Sequence, residues 1–178
     1  FYGELRDWEL SYWNKLGIYK DILDKYNVKS LTGLYKTDRL IWKSVSGNPA
    51  YIYLYKDQKA FKCYRQLDKK DKFRGQGNGS IIEGYDQLPD EWDHLIITKS
   101  TKDVMLLRSL GVIGCSPTSE NSFKVLYDKA DEFKERFSNI YVMYDNDEPG
   151  IKAAEKICAD TGWKNIMFPK SFAKDPSD

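Results

Sequence analysis

From Ile140 the chain runs through Val142 and Met143 and stops abruptly at Asp145, with a second carboxylate at Asp147, then Pro149, Gly150 and a helical pattern. An apolar run that ends in Asp-x-Asp and opens a helix reads as a buried strand presenting two acids at its carboxyl end. In open α/β sheets, ligands bind just beyond that end of the strands. A hard cation such as Mg²⁺ takes oxygen ligands from one or two carboxylates and leaves places for phosphate. The same residue types are also ordinary turn formers, so the pair alone leaves both a cation site and a solvated turn open.

The preceding segments narrow the choice. Leu95–Thr98 is a short apolar run, followed by Lys99–Asp103 and a helical face of Val104, Met105, Leu106, Leu107 and Leu110 closed by Gly111. A second strand at Val112–Ser116 and a helix from Phe123 to Arg136 precede the Asp-x-Asp strand. A helix from Glu148 to Thr161, a fourth strand at Asn165–Phe168 and then Lys174–Asp178 follow it. Strands alternating with helices imply βαβ units and a parallel sheet. Acidic residues follow the first, third and fourth strands, so they lie along one sheet edge and can converge.

With these residues in view, the second half resembles a TOPRIM domain, the metal-binding fold of primases, topoisomerases and some nucleases. Asp145 and Asp147 match its Asp-x-Asp motif and Gly150 its trailing glycine, and Lys174-Asp175-Pro176 resembles the Lys-Asp-Pro segment of bacterial and phage primases. Tyr12–Ile18, Ile22-Leu23 and Tyr26–Val28 are similar to the opening of the primase N-terminal catalytic subdomain, and Lys72–Arg74 with Ile82–Leu88 to the stretch that leads into TOPRIM. The resemblance implies a phage-type DNA primase fragment making RNA primers on a single-stranded DNA template from nucleoside triphosphates with Mg²⁺ or Mn²⁺. Asp145 and Asp147 would hold metal, with Asp103 and Asp175 beside them. Lys62, Lys72, Arg74, Lys102 and Lys174 would contact nucleic acid or nucleotide. Family architecture implies a fragment, with a zinc module before it and a replicative helicase after it.

One position departs from the family. The first TOPRIM strand ordinarily ends in Glu-Gly, with an Asp four residues after the Glu; here Lys99 stands at the Glu and Asp103 keeps the Asp. An ammonium cannot ligate Mg²⁺, and neighbouring aspartates hold it charged. Three readings stay open. The site is inactive, or Glu83 or Glu120 fills the gap, or Lys99 grips nucleotide phosphate as a point charge. A degenerate TOPRIM that binds single strands without catalysis, and a TOPRIM nuclease, are the alternatives to a primase.

The fold expected is α/β: a Rossmann-like TOPRIM domain over 91–178 behind a small mixed α+β subdomain over 1–90, with a boundary near 88–93. In the first part the pattern predicts helices over Asp7–Leu16 and Lys20–Tyr26 and strands over Leu31–Tyr35, Leu40–Val45, Ala50–Tyr55 and Ala60–Arg65. Net charge is +1, which excludes a global basic field, but Lys56, Lys59, Lys62, Arg65, Lys69, Lys70, Lys72 and Arg74 crowd one stretch. Phe61, Tyr64 and Phe73 interleave them, a pattern suited to tracking phosphates and stacking bases, although a solvated hairpin has the same composition. Cys63, Cys115 and Cys158 are widely separated and His94 is the single histidine, so no zinc ribbon is present in this sequence. His94 reads as structural. Unpaired cysteines without a signal peptide are expected in the cytoplasm of a bacterial host or phage-infected cell, and no apolar run is long enough to span a membrane.

Overall fold

The computed structural model describes residues 1–68, 70–76, 80–119 and 122–167. The chain divides into two units, Phe1–Gly77 and Asn78–Asp178. The division falls earlier than the 88–93 stretch, because Ile82–Glu83 is an edge strand of the second sheet.

The first unit contains β1 (Tyr2–Gly3), α1 (Asp7–Asn14), α2 (Lys20–Lys25), β2 (Val28–Leu31), β3 (Leu34–Lys36), β4 (Arg39–Trp42), β5 (Ala50–Tyr55), β6 (Ala60–Arg65) and β7 (Phe73–Gln76). Its main sheet has the order β1-β2-β5-β6-β7 and is antiparallel throughout; β3 and β4 form a separate hairpin. Thr37 and Asp38 turn that hairpin with positive φ of 47° and 63°, the backbone that matches the strands' right-handed twist. β5 reads as an unbroken apolar run because both of its faces are covered. Ala50 and Ile52 join Leu31, Trp42 and Cys63 in one cluster. On the opposite face Trp13 of α1 meets Tyr51 at 5.0 Å between ring centroids, and Tyr64 stacks on Tyr53 at 6.1 Å. Below α1, Glu9 is fully buried and accepts hydrogen bonds from the Arg6 guanidinium at 3.0 and 3.1 Å, from Ser30 at 2.8 Å and from the Ser44 hydroxyl. Burial would raise the Glu9 carboxyl, but these donors overcome it and hold it below the ordinary value.

The second unit contains β8 (Ile82–Glu83), a 3₁₀ turn (Tyr85–Gln87), β9 (Trp92–Ile97), α3 (Thr101–Ser109), β10 (Gly114–Pro117), α4 (Phe123–Asp128), α5 (Ala130–Arg136), β11 (Phe137–Val142), α6 (Glu148–Thr161) and β12 (Lys164–Asn165). The sheet order is β12-β11-β9-β10-β8, with the first four strands parallel and β8 antiparallel on the edge. This is the expected Rossmann-like α/β layout. The single helix expected over Phe123–Arg136 is instead two, broken at Lys129, whose backbone leaves the helical region at φ −109° and ψ 2°. The end of the fourth strand, at Phe168, lies outside the described residues. Leu95, Ile97, Ile140, Val142, Phe133 and Ile157 share one core, and burying such side chains contributes about 1.5–3 kcal/mol each. The 3₁₀ turn is locked to α5. Glu132 accepts from Tyr85 at 2.7 Å, from Lys129 at 2.6 Å and from Arg136 at 2.5 Å. No helix among the described residues is long and apolar enough to cross a membrane.

Candidate functional site at the carboxyl edge of the second sheet

β9 and β11 are neighbours, with Ile97 opposite Val142. The chain leaves β9 for β10 on one side, whereas β11 lies on the other. The crevice beyond their carboxyl ends is therefore a topological switch point, the usual ligand position in such sheets. Lys99 follows β9 and Asp145 follows β11, so the register alone brings them face to face. The Lys99 ammonium is bonded to the Asp145 carboxylate. Asp145 is 1% exposed and the Lys99 side chain 22%. A buried carboxylate without a counter-charge is very unfavourable, and here the counter-charge is supplied by the chain.

The other acids hold helix ends. Asp147 is the N-cap of α6 and accepts the Gly150 N–H at 3.0 Å, with Pro149 in the first turn. Asp103, 1% exposed, lies in the first turn of α3; the Ser100 hydroxyl donates to it at 2.6 Å and accepts from its N–H at 3.2 Å. Glu83 is fully buried on β8 and accepts from the Thr101 N–H at 2.7 Å and hydroxyl at 2.8 Å. These carboxylates thus sit on the positive ends of α3 and α6, where the exposed N–H groups favour negative charge. Gly150 allows the tight return into α6, since a Cβ there would lie 2.4 Å from the Asp145 carbonyl oxygen.

With Lys99 on Asp145, the described residues present no ligand set for a resident divalent metal. Asp145 carries the Lys99 ammonium where a cation would need it, and among the described residues no three His, Cys, Asp or Glu side chains come together to hold an ion. The expected ligand trio of Asp103, Asp145 and Asp147 is thus drawn to one edge but divided among a bond to the α3 cap Ser100, an ion pair and the α6 cap. Lys102 is half-buried in the first turn of α3. Glu120, Lys174 and Asp175 lie outside the described residues. The roles of Glu83, Ser100 and Thr101 at the α3 terminus escaped the sequence reading, although Ser100-x-x-Asp103 ahead of an apolar run is the signature of a capping box.

The basic strip of the first unit is split by strand alternation. Tyr64 pairs with Phe73 and Lys62 with Gly75, whereas Cys63 pairs with Arg74. Lys62 and Lys72 accompany the Tyr64–Phe73 stack, with the Lys62 ammonium 4.5 Å from the Phe73 ring centre and the Lys72 ammonium 5.9 Å from that of Tyr64. Arg74 and Arg65 face the other way, each 5.1 Å from the Trp42 ring, and Arg74 is bonded through two nitrogens to Asp71. Of the three aromatics in the strip, Tyr64 is buried in the aromatic core and Phe61 packs on the Trp42 cluster. Only Phe73, 46% exposed, has a ring open to solvent.

No family model matches the chain, and no curated protein matches it. Solved structures do. The primase fragment of the bacteriophage T7 primase-helicase protein is similar with a TM-score of 0.69 and 20% identity over 92% of this chain and 65% of that one. A bacteriophage T7 lagging-strand DNA polymerase structure, with primase domains of two gp4 subunits bound to an RNA/DNA hybrid and dTTP, gives 0.66 and 19% over 99% and 83%. The DnaG catalytic core gives 0.73 and 14% over 96% and 67%. The chain thus carries the TOPRIM-type fold of phage and bacterial primase cores.

Proposed function

We propose that this chain is the primase-type module of a phage-type replication protein and engages single-stranded DNA along β6 and β7. The observation that carries this reading is the open Phe73 ring flanked by Lys62 and Lys72 at a sheet edge. A base can stack on the ring in place of the Lys62 ammonium, which then tracks phosphate with Lys72, a sequence-tolerant mode worth about 1–3 kcal/mol per stacked base. The likeness to primase cores supports it, and by analogy with the T7 primase-helicase a helicase is the natural partner. Anisotropy of a labelled oligodeoxythymidine across a salt series tests it. Lys62→Ala with Lys72→Ala should flatten the salt dependence by about 0.7 in log–log slope for each phosphate no longer neutralised, and Phe73→Ala should weaken binding at every salt concentration. Arg74→Ala, on the opposite face and held by Asp71, should leave the slope unchanged. A slope that falls with Arg74→Ala and not with the lysine pair would sink the assignment.

Magnesium-dependent synthesis of RNA primers from nucleoside triphosphates is a second reading. It is favoured by the delivery of Asp145 and Asp147 on one turn at the switch point. It requires Lys99 to leave Asp145, so primer synthesis by the wild-type chain in Mg²⁺ would raise this reading above the first.

A further inference from the structure

We propose that Lys99 is a tethered cation that takes the place of a divalent metal at the carboxyl edge of the second sheet, so that the Asp145–Asp147 turn is built and held without metal. The ammonium lies on a carboxylate that is 1% exposed. That burial demands a positive partner wherever Asp145 is ionised. Lys99 meets the demand from the adjacent strand end, with its ammonium on the carboxylate and its side chain 22% exposed.

The neighbouring acids take hydrogen bonds from other groups. Asp147 caps α6, Asp103 accepts from Ser100, the residue that caps α3, and Glu83 takes two donors from Thr101. Each of these carboxylates therefore accepts at least one hydrogen bond from within the chain. A metal ion entering from solution would compete with an ammonium already fixed by the fold, at the high effective concentration that covalent linkage confers. It would also have to replace the hydrogen bonds that hold two helix ends. This inference does not depend on the single-strand reading, since it concerns the second unit alone and survives a failure of DNA binding.

Thermal melts and Mn²⁺ calorimetry on the whole chain test it. Wild type should melt at the same temperature in EDTA and in excess Mg²⁺ or Mn²⁺, with no saturating heat that Asp145→Asn removes. Lys99→Met keeps the stem and removes the charge, and should melt about 5–10 °C lower in EDTA. Lys99→Glu places a second carboxylate beside Asp145. It should melt lower still in EDTA, recover with Mn²⁺, and bind Mn²⁺ at least about tenfold more tightly than wild type, since oxygen ligands replace a repelling cation. If Lys99→Glu fails to fold even with Mn²⁺, the Lys99→Met melt in EDTA decides alone. The proposal is overturned if Lys99→Met melts with wild type in EDTA, or if Mn²⁺ stabilises wild type in a way that Asp145→Asn abolishes.

Discussion

Gly150→Ala offers a test in which two physical effects have opposite signs. Gly150 is in the first turn of α6, where replacing glycine by alanine ordinarily stabilises a helix by about 1 kcal/mol. Here the added Cβ would lie 2.4 Å from the Asp145 carbonyl oxygen, 3.1 Å from its carbonyl carbon and 3.1 Å from its Cβ. Comfortable carbon contacts begin near 3.5 Å, so the overlap with the oxygen is on the order of 1 Å. The obstructing atoms are mostly backbone and cannot swing aside as a side-chain tip would. Relief means shifting the end of β11 against α6, an overpacking cost of about 1–3 kcal/mol. The same shift pulls the Gly150 N–H from Asp147, a cap worth about 1 kcal/mol. The helix gain and the cap loss roughly cancel, leaving a net loss of about 1–3 kcal/mol, which in a domain of roughly 100 residues lowers the melting temperature by about 5–20 °C. Calorimetric melts of wild type, Gly150→Ala and a Gly47→Ala control, where no atom lies within 4 Å of the added carbon, read this directly. A Gly150→Ala melt equal to or above wild type would mean that helix propensity wins and that the turn is not tightly packed.

Three further outcomes follow from the same geometry. Burial would raise the Glu132 carboxyl, but hydrogen bonds from Lys129, Tyr85 and Arg136 hold it down to about 2, from an ordinary 4.5; because the folded value is the lower one, its stabilisation is present above pH 4.5 and lost as pH falls towards 2. Glu132→Gln should therefore destabilise at neutral pH and flatten the decline of stability across that acid window, read from urea midpoints at stepped pH. Glu9→Ala should lower stability by about 3 kcal/mol in urea titrations, since it strips a buried acceptor from Ser30, Ser44 and Arg6, whereas a loss below about 0.5 kcal/mol would mark the network as dispensable. Thr101→Val should expose the α3 terminus to faster amide exchange by removing one of the two donors to Glu83, and unchanged exchange would show that the Thr101 hydroxyl bond is not needed to hold it.

The second unit is the more legible half. Its central strands carry the short apolar runs Leu95–Ile97 and Ile140–Val142, and the helices between β9, β10 and β11 force parallel pairing. The approach of Lys99 to Asp145 follows from two strand ends lying side by side. What escapes is the use of each acid. Ser100-x-x-Asp103 and Asp147-x-Pro149 carry helix-start signals, yet the same carboxylates fit a metal motif, and local sequence does not say whether the backbone or an ion claims an oxygen. The break at Lys129 has no glycine or proline to announce it. In the first unit, β7 is hidden as a strand, because Phe73-Arg74-Gly75-Gln76 is short and holds a glycine. Without β7 the alternation that puts Lys62 with Phe73 and Arg74 with Trp42 is invisible, so a strip continuous in sequence reads as one surface. Register is set by distant partners, and Tyr64, polar-flanked in sequence, is core only because α1 lays Trp13 near it.

The counter-charge proposed for buried Asp145 in this fold is Lys99 and not a metal. Anomalous diffraction from crystals of the chain grown in Mn²⁺ tests that most directly. The expected map has the Lys99 ammonium on the Asp145 carboxylate, Asp147 on the Gly150 N–H, and no manganese peak at either aspartate. A manganese peak bridging Asp145 and Asp147, with Lys99 turned out to solvent, would contradict it.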